Sequence, residues 1–171
     1  KEVRRVIDQI KHRWGNVDYL INNAGFLADR PLYLMKDSEW DRVIDTSLNG
    51  TYNTSRAVVA GMMKRGFGRI VNIVTASLFY SSQGQTNYLA AKGGVAALTR
   101  ALARETARFG VTINAVAPGF ISTQMTQSIP STKKSDLTVR IPVGRFGRIV
   151  NIVTASLFYS SQGQTNYLAA K

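Results

Sequence analysis

The sequence predicts an α/β protein built on a parallel β-sheet. Three observations carry this. Helical and strand patterns alternate along the chain, as in βα units. The strand-like segments are short apolar runs. Each is followed by small or polar residues, at the place where parallel sheets bind ligands.

Val3, Val6, Ile7, Ile10 and Trp14 recur at helical spacing, and Gly15 stops that helix. Residues 17–21 form a short apolar run, a buried strand. Ser38 is placed to cap a helix, with Asp41 three residues on as a capping-box variant. Helical character continues, with a break, to about Lys64, and Gly66 ends it. Residues 70–74 form the next strand. Residues 87–109 form a long helix rich in Ala and Leu, ended by Gly110. Residues 111–116 form a third strand. The order β-α-β-α-β calls for right-handed helical crossovers between parallel strands.

At 171 residues the chain suits one domain with one core. It has no Cys, which excludes disulfides, zinc–cysteine sites and a thiol nucleophile. No apolar run is long enough to span a bilayer, and no signal-peptide pattern opens the chain. A cytoplasmic location and no membrane partner are the expectation. The net charge of +12 asks for acidic surroundings. Its Lys and Arg are scattered rather than gathered in one tract, so nucleic acid is not the expected partner. His12 reads as a solvated helix residue.

The strand ends carry the chemistry. The first strand runs into Asn22, Asn23, Ala24 and Gly25. The second runs into Thr75, Ala76 and Ser77. The third runs into Pro118, Gly119, Phe120, Ile121, Ser122 and Thr123. Tyr88 and Lys92 stand four apart, on one face of the helix after the second strand. The pair gains its meaning from context: it follows the strand-end hydroxyl of Thr75 by thirteen residues and precedes a strand that ends in Pro-Gly.

NNAG at 22–25, YLAAK at 88–92 and INAVAPGFISTQM at 113–125 follow one another in the order of a known family. From Lys1 to about Arg148 the chain resembles the short-chain dehydrogenase/reductase family. Its wording is nearest the 3-oxoacyl-[acyl-carrier-protein] reductase branch. The resemblance implies a Rossmann-like doubly wound parallel sheet. It implies NADP or NAD as cofactor and a small or acyl-carrier-bound ketone as substrate, with a possible homo-oligomer. It makes Tyr88 the general acid/base and Thr75 the substrate-binding hydroxyl. Lys92 would touch the nicotinamide ribose and lower the Tyr pKa. It assigns Asn22, Asn23, Ala24, Gly25, Pro118, Gly119, Ile121 and Thr123 to the cofactor, beside Tyr88 and Lys92. Ser47 falls where the family usually has an Asn holding a relay water, and Thr75 where it usually has Ser.

The family's opening strands and Gly-rich turn have no counterpart in the sequence: neither GxGxxG nor GxxxGxG occurs. The expected sheet is therefore partial and lacks the first strands. Residues 67–92 also recur letter for letter as 146–171. The expected division is a partial dehydrogenase domain over 1–148, then a duplicate of 70–92 over 149–171, an extra strand plus a helix stub. The extra strand is expected beside the third or in its twin's slot. Tyr167 and Lys171 close the chain with no Pro-Gly strand after them, so the first copy is the expected working one. The alternative is a non-catalytic remnant that at most oligomerises.

Overall fold

Apolar residues at positions 3, 7 and 10 make one stripe on the first helix, and that stripe is what the fold buries. In the computed structural model, which describes residues 2–127 and 129–149, helix α1 spans Glu2–Trp14. Ile7 is buried among Val58, Met62, Ile70, Val111 and Ile113, with Val3 and Ile10 packed alongside. Val6 and Trp14 differ from the sequence reading, being exposed. Val6 sits on the margin of the stripe. Trp14 ends the helix, under the Arg13 guanidinium at 4.6 Å.

Strand β1 is Tyr19–Asn22, two residues later than the apolar run suggests. Val17 and Asp18 are held instead by Arg65, whose Nη2 donates to Val17 O at 2.8 Å and to Asp18 Oδ1 at 3.0 Å. Helix α2 is Asp37–Ile44. It starts one residue before Ser38, so Ser38 is inside it and not its cap. Glu39 reaches back instead, accepting from the Lys36 backbone N–H at 2.9 Å. The expected break is a single π-helical turn, Asp45–Asn49, leading into α3, Gly50–Arg65. Strand β2 is Gly68–Ile73, α4 is the short turn Ser77–Tyr80, α5 is Thr86–Thr106 and β3 is Val111–Val116.

The three strands are parallel in the order β1-β2-β3. Gly66 and Gly110 end α3 and the turn after α5 with φ of 72° and 70°. Gly110 has a second reason to be glycine, since a Cβ there would run into the Gly66 carbonyl oxygen. Helices α1, α3 and α5 cover the sheet face carrying Ile70, Asn72, Val111 and Ile113. Tyr19, Ile21 and Val116 project from the other face and are exposed.

The chain forms two compact units, Lys1–Gly119 and Phe120–Lys171. In the second, Ile121 bridges Gly147, and Phe120 and Phe146 stack at 5.4 Å between ring centroids. Two short helices there, α6 (Gln124–Gln127) and α7 (Ser131–Val139), bury none of their described residues. The strand and stub expected over 149–171, with Thr154, Tyr167 and Lys171, fall outside the described residues, save exposed Ile149.

Candidate active site

Parallel pairing continues past the ends of β2 and β3. Val74 N–H donates to Val116 O at 2.8 Å, and Ala76 N–H to Pro118 O at 3.0 Å. This fixes the backbone around Thr75 beside Pro118. Thr75 is buried, and its Oγ1 accepts from Ser77 N–H at 3.2 Å. Its own hydroxyl proton is thereby left for another acceptor, and the Thr75 side chain acts on the Tyr88 phenol in the direction that lowers its pKa. Ser77, the other strand-end hydroxyl, faces Tyr80 instead, at 3.5 Å.

Tyr88 and Lys92 come from the first turns of α5, on the face turned to the sheet. Lys92 is buried, and its Nζ donates to Ile73 O at 2.7 Å. That Nζ lies 5.9 Å from the Tyr88 ring centroid. The electrostatics differ from the expected lowering of the phenol by Lys92. Burial raises the Tyr88 phenol above the ordinary tyrosine value, and Asp29 and Tyr80 raise it further, against the Thr75 hydrogen bond. The Lys92 ammonium is turned to the Ile73 carbonyl, and burial lowers its own pKa. Desolvation therefore outweighs the pair interaction.

The π turn brings Ser47 to the same place. Ser47 is fully buried and its Oγ has no hydrogen-bond partner. A Cβ built on Gly25 would lie 3.5 Å from Lys92 Nζ and 3.8 Å from Ser47 Oγ. Gly25, Ser47 and Lys92 thus converge around one small polar space. Asn49 turns outward and donates to Asp45 Oδ1 at 2.6 Å.

The Asn22 amide is engaged inside the fold. Its Nδ2 donates to Asn72 Oδ1 at 2.8 Å and to Ser55 Oγ at 3.2 Å, and its Oδ1 accepts from Thr54 at 2.7 Å. Asn72 Nδ2 donates onward to Thr99 at 2.9 Å. This chain of bonds ties α3 and α5 to the strands that present the site. Asn23, Ala24 and Gly119 are exposed at the strand ends. Ile121 and Thr123 belong to the second unit, where Thr123 N–H donates to Thr126 Oγ1 at 3.0 Å.

Three residues beside the site went unread in the sequence. Asn87 is buried and ties the start of α5 to the segment after Gly25. Gln85 Nε2 donates to Asp29 Oδ2 at 2.9 Å, and Asp29 acts on the Tyr88 phenol. The signal available was a polar cluster, Gln85-Thr86-Asn87, at a helix start. Among the described residues no group of His, Asp and Glu could hold a metal, and no helix is long and apolar enough to cross a membrane.

The family model described as short chain dehydrogenase matches residues 1–134. The chain is 41% identical over 161 residues to the 3-oxoacyl-[acyl-carrier-protein] reductase FabG of Haemophilus influenzae, covering 94% of this chain and 66% of that protein. It is 38% identical to FabG of Thermotoga maritima, over 99% of this chain and 69% of the relative. With FabG of Pseudomonas aeruginosa it shares 42% identity, over 95% and 66%. The chain thus spans about two thirds of the length of these relatives. The parallel sheet, the Tyr–Lys pair on the helix after its central strand and the family match together show that this chain belongs to the short chain dehydrogenase family.

Proposed function

We propose that the chain supplies the catalytic groups of a nicotinamide-dependent reductase whose substrate is a 3-oxoacyl thioester carried on an acyl carrier protein. The observation that carries the reading is the meeting of Thr75, Tyr88 and Lys92 at the carboxyl ends of β2 and β3. The substrate class rests on the relatives' names.

The residues present fit such a cofactor. An ammonium has three donors, and Lys92 directs one to Ile73 O. Ser47 adds a buried hydroxyl without a partner, and Gly25 leaves open the space a Cβ would fill. Lys92, with Asn23, Ala24 and Gly25, is placed to hold a ribose, while Asn22 braces that loop from behind. Pro118 and Gly119 would flank the reacting end, and the resemblance assigns Ile121 and Thr123 to the same cofactor. When bound, the nicotinamide supplies the hydride. Tyr88 delivers the proton to the carbonyl oxygen, so that the ketone becomes an alcohol. The Thr75 hydroxyl donates to the same oxygen as its charge grows. Ser47 and Lys92 enclose the space through which Tyr88 is reprotonated.

The test is consumption of NADPH or NADH by the purified chain with a 3-oxoacyl thioester. Turnover that Tyr88→Phe abolishes is the expected result. Turnover indifferent to Tyr88→Phe would overturn the assignment. A homo-oligomer is also proposed. A groove of about 400 Å³ between α3 and α5, lined by Tyr52, Val59, Leu98 and Leu102, gives it an apolar surface. Sedimentation of the chain would test it.

A further inference from the structure

We propose that Asn87 is a positioning residue that sets Tyr88 against Thr75. It does so by clamping the start of α5 to the segment after Gly25 and to α2. The inference rests on the reading of Tyr88 as the proton donor.

Asn87 is fully buried. Its Nδ2 donates to Ala28 O at 3.0 Å and to Glu39 O at 3.3 Å. Its Oδ1 accepts from the Tyr88 backbone N–H at 2.7 Å. Both donor hydrogens and the acceptor are thus in use on three different partners. The first N–H groups of a helix have no partner within it, and the N-cap residue of α5, Gln85, offers no side-chain cap. Asn87 supplies that bond to the residue that carries the phenol.

The clamp does not act alone. Arg30 N–H donates to Gly84 O at 2.8 Å, and Gln85 Nε2 to Asp29 Oδ2 at 2.9 Å. The Arg30 guanidinium pairs with Glu39 at 2.9 Å. The two side-chain contacts are exposed, and their loss is easily replaced by water. Asn87 is the buried member, and a lost partner there has no water to replace it. An amide is also the one common side chain that donates twice and accepts once at this size. Asp would place a carboxylate against two carbonyl oxygens. Leu would fill the volume and bond to none of the three.

The experiment uses the full chain with tyrosine labelled at Cζ, the Tyr88 signal being identified by its loss in Tyr88→Phe. In the wild type Tyr88 titrates above the ordinary tyrosine value. In Asn87→Ala the titration is expected to fall toward that value, because burial is the largest effect on the phenol and its loss outweighs the loss of the Thr75 contact. Amide exchange at Tyr88 is expected to quicken at least about tenfold, with Val95 and Thr99 unchanged. Asn87→Asp is expected to shift the Tyr88 signal at neutral pH and to move it part of the way back as its carboxyl is protonated and can donate once. Wherever the chain turns over substrate, kcat falls and KM holds. An Asn87→Ala protein with wild-type Tyr88 titration and exchange overturns the proposal. So does one whose exchange rises equally throughout α5, which would make Asn87 a structural residue only. Asn87→Ser, which keeps a donor and an acceptor, serves where the Ala variant does not fold. The titration reads the phenol directly. It therefore decides the role of Asn87 even where the reductase reading fails.

Discussion

At the scale of single residues, Tyr88 and Lys92 are displaced by burial in opposite directions: the phenol up, the ammonium down. Both shifts keep the neutral form. An unfolded Lys titrates near ~10.4 and an unfolded Tyr near ~10. Below 10.4 and above its lowered folded value, Lys92 binds more protons unfolded than folded, so its contribution to stability rises with pH. Tyr88 has the reverse sign. Between ~10 and its raised folded value the folded state holds the extra proton, and stability falls as pH climbs. Lys92→Met is therefore expected to be at least as stable as wild type at pH 7 and to lose the rise on the alkaline side. Tyr88→Phe should remove the fall above ~10. Denaturant midpoints measured across pH would check both. In turnover, removing the Tyr88 proton should cost on the order of 10²–10⁴-fold, the range for positioned acid–base groups. A Tyr88→Phe enzyme within tenfold of wild type would sink the role.

At the scale of elements, the site depends on a polar tie through the sheet. Asn72 is fully buried and joins Asn22 on β1 to Thr99 on α5. Asn72→Ala would leave both partners unsatisfied. The expected loss is about 2–3 kcal/mol, as for stranded buried polar groups, read from urea unfolding. Asn72→Asp should be worse, since a carboxylate cannot donate to Thr99. A change below about 0.5 kcal/mol would mean water had entered in its place. This tie also shows what the sequence made legible. Strand β3 was read to the residue, because Gly110 and Pro118 punctuate it. The end of α3 was read from Gly66, and Gly110 was read as ending the helix, although α5 stops at Thr106 and a tighter turn, 107–109, fills the gap. The start of β1 was missed because Arg65, nearly fifty residues away, engages Val17 and Asp18. The start of α2 was missed because Glu39, not Ser38, satisfies the free N–H. Tyr88 and Lys92 were legible as a spaced pair. Asn87 was not, since its three partners lie on separate segments.

At the scale of the whole molecule, one sheet face is covered by three helices, and the other shows Tyr19, Ile21 and Val116 to solvent. An open apolar sheet face invites association. The chain in isolation is expected to self-associate at micromolar concentration, and Ile21→Lys should suppress this without moving the Tyr88 titration. Light scattering of the two proteins would decide, and a wild type that stays monomeric would refute the expectation. The duplicate segment poses the last question. Tyr88 and Lys92 interact with Thr75, Ile73, Asn87, Asp29 and Tyr80, all of which lie before residue 93. The tie behind them is complete with Thr54, Ser55 and Thr99. Among the described residues, these partners extend no further along the chain than Pro118, whose carbonyl holds Ala76. Removing residues 150–171 should therefore leave the Tyr88 titration and any turnover unchanged. The converse change, Tyr167→Phe in the full chain, should be equally silent. If the deletion abolished turnover while Tyr88→Phe did not, the second copy would be the working one, and the site would have to be rebuilt around Tyr167 and Lys171.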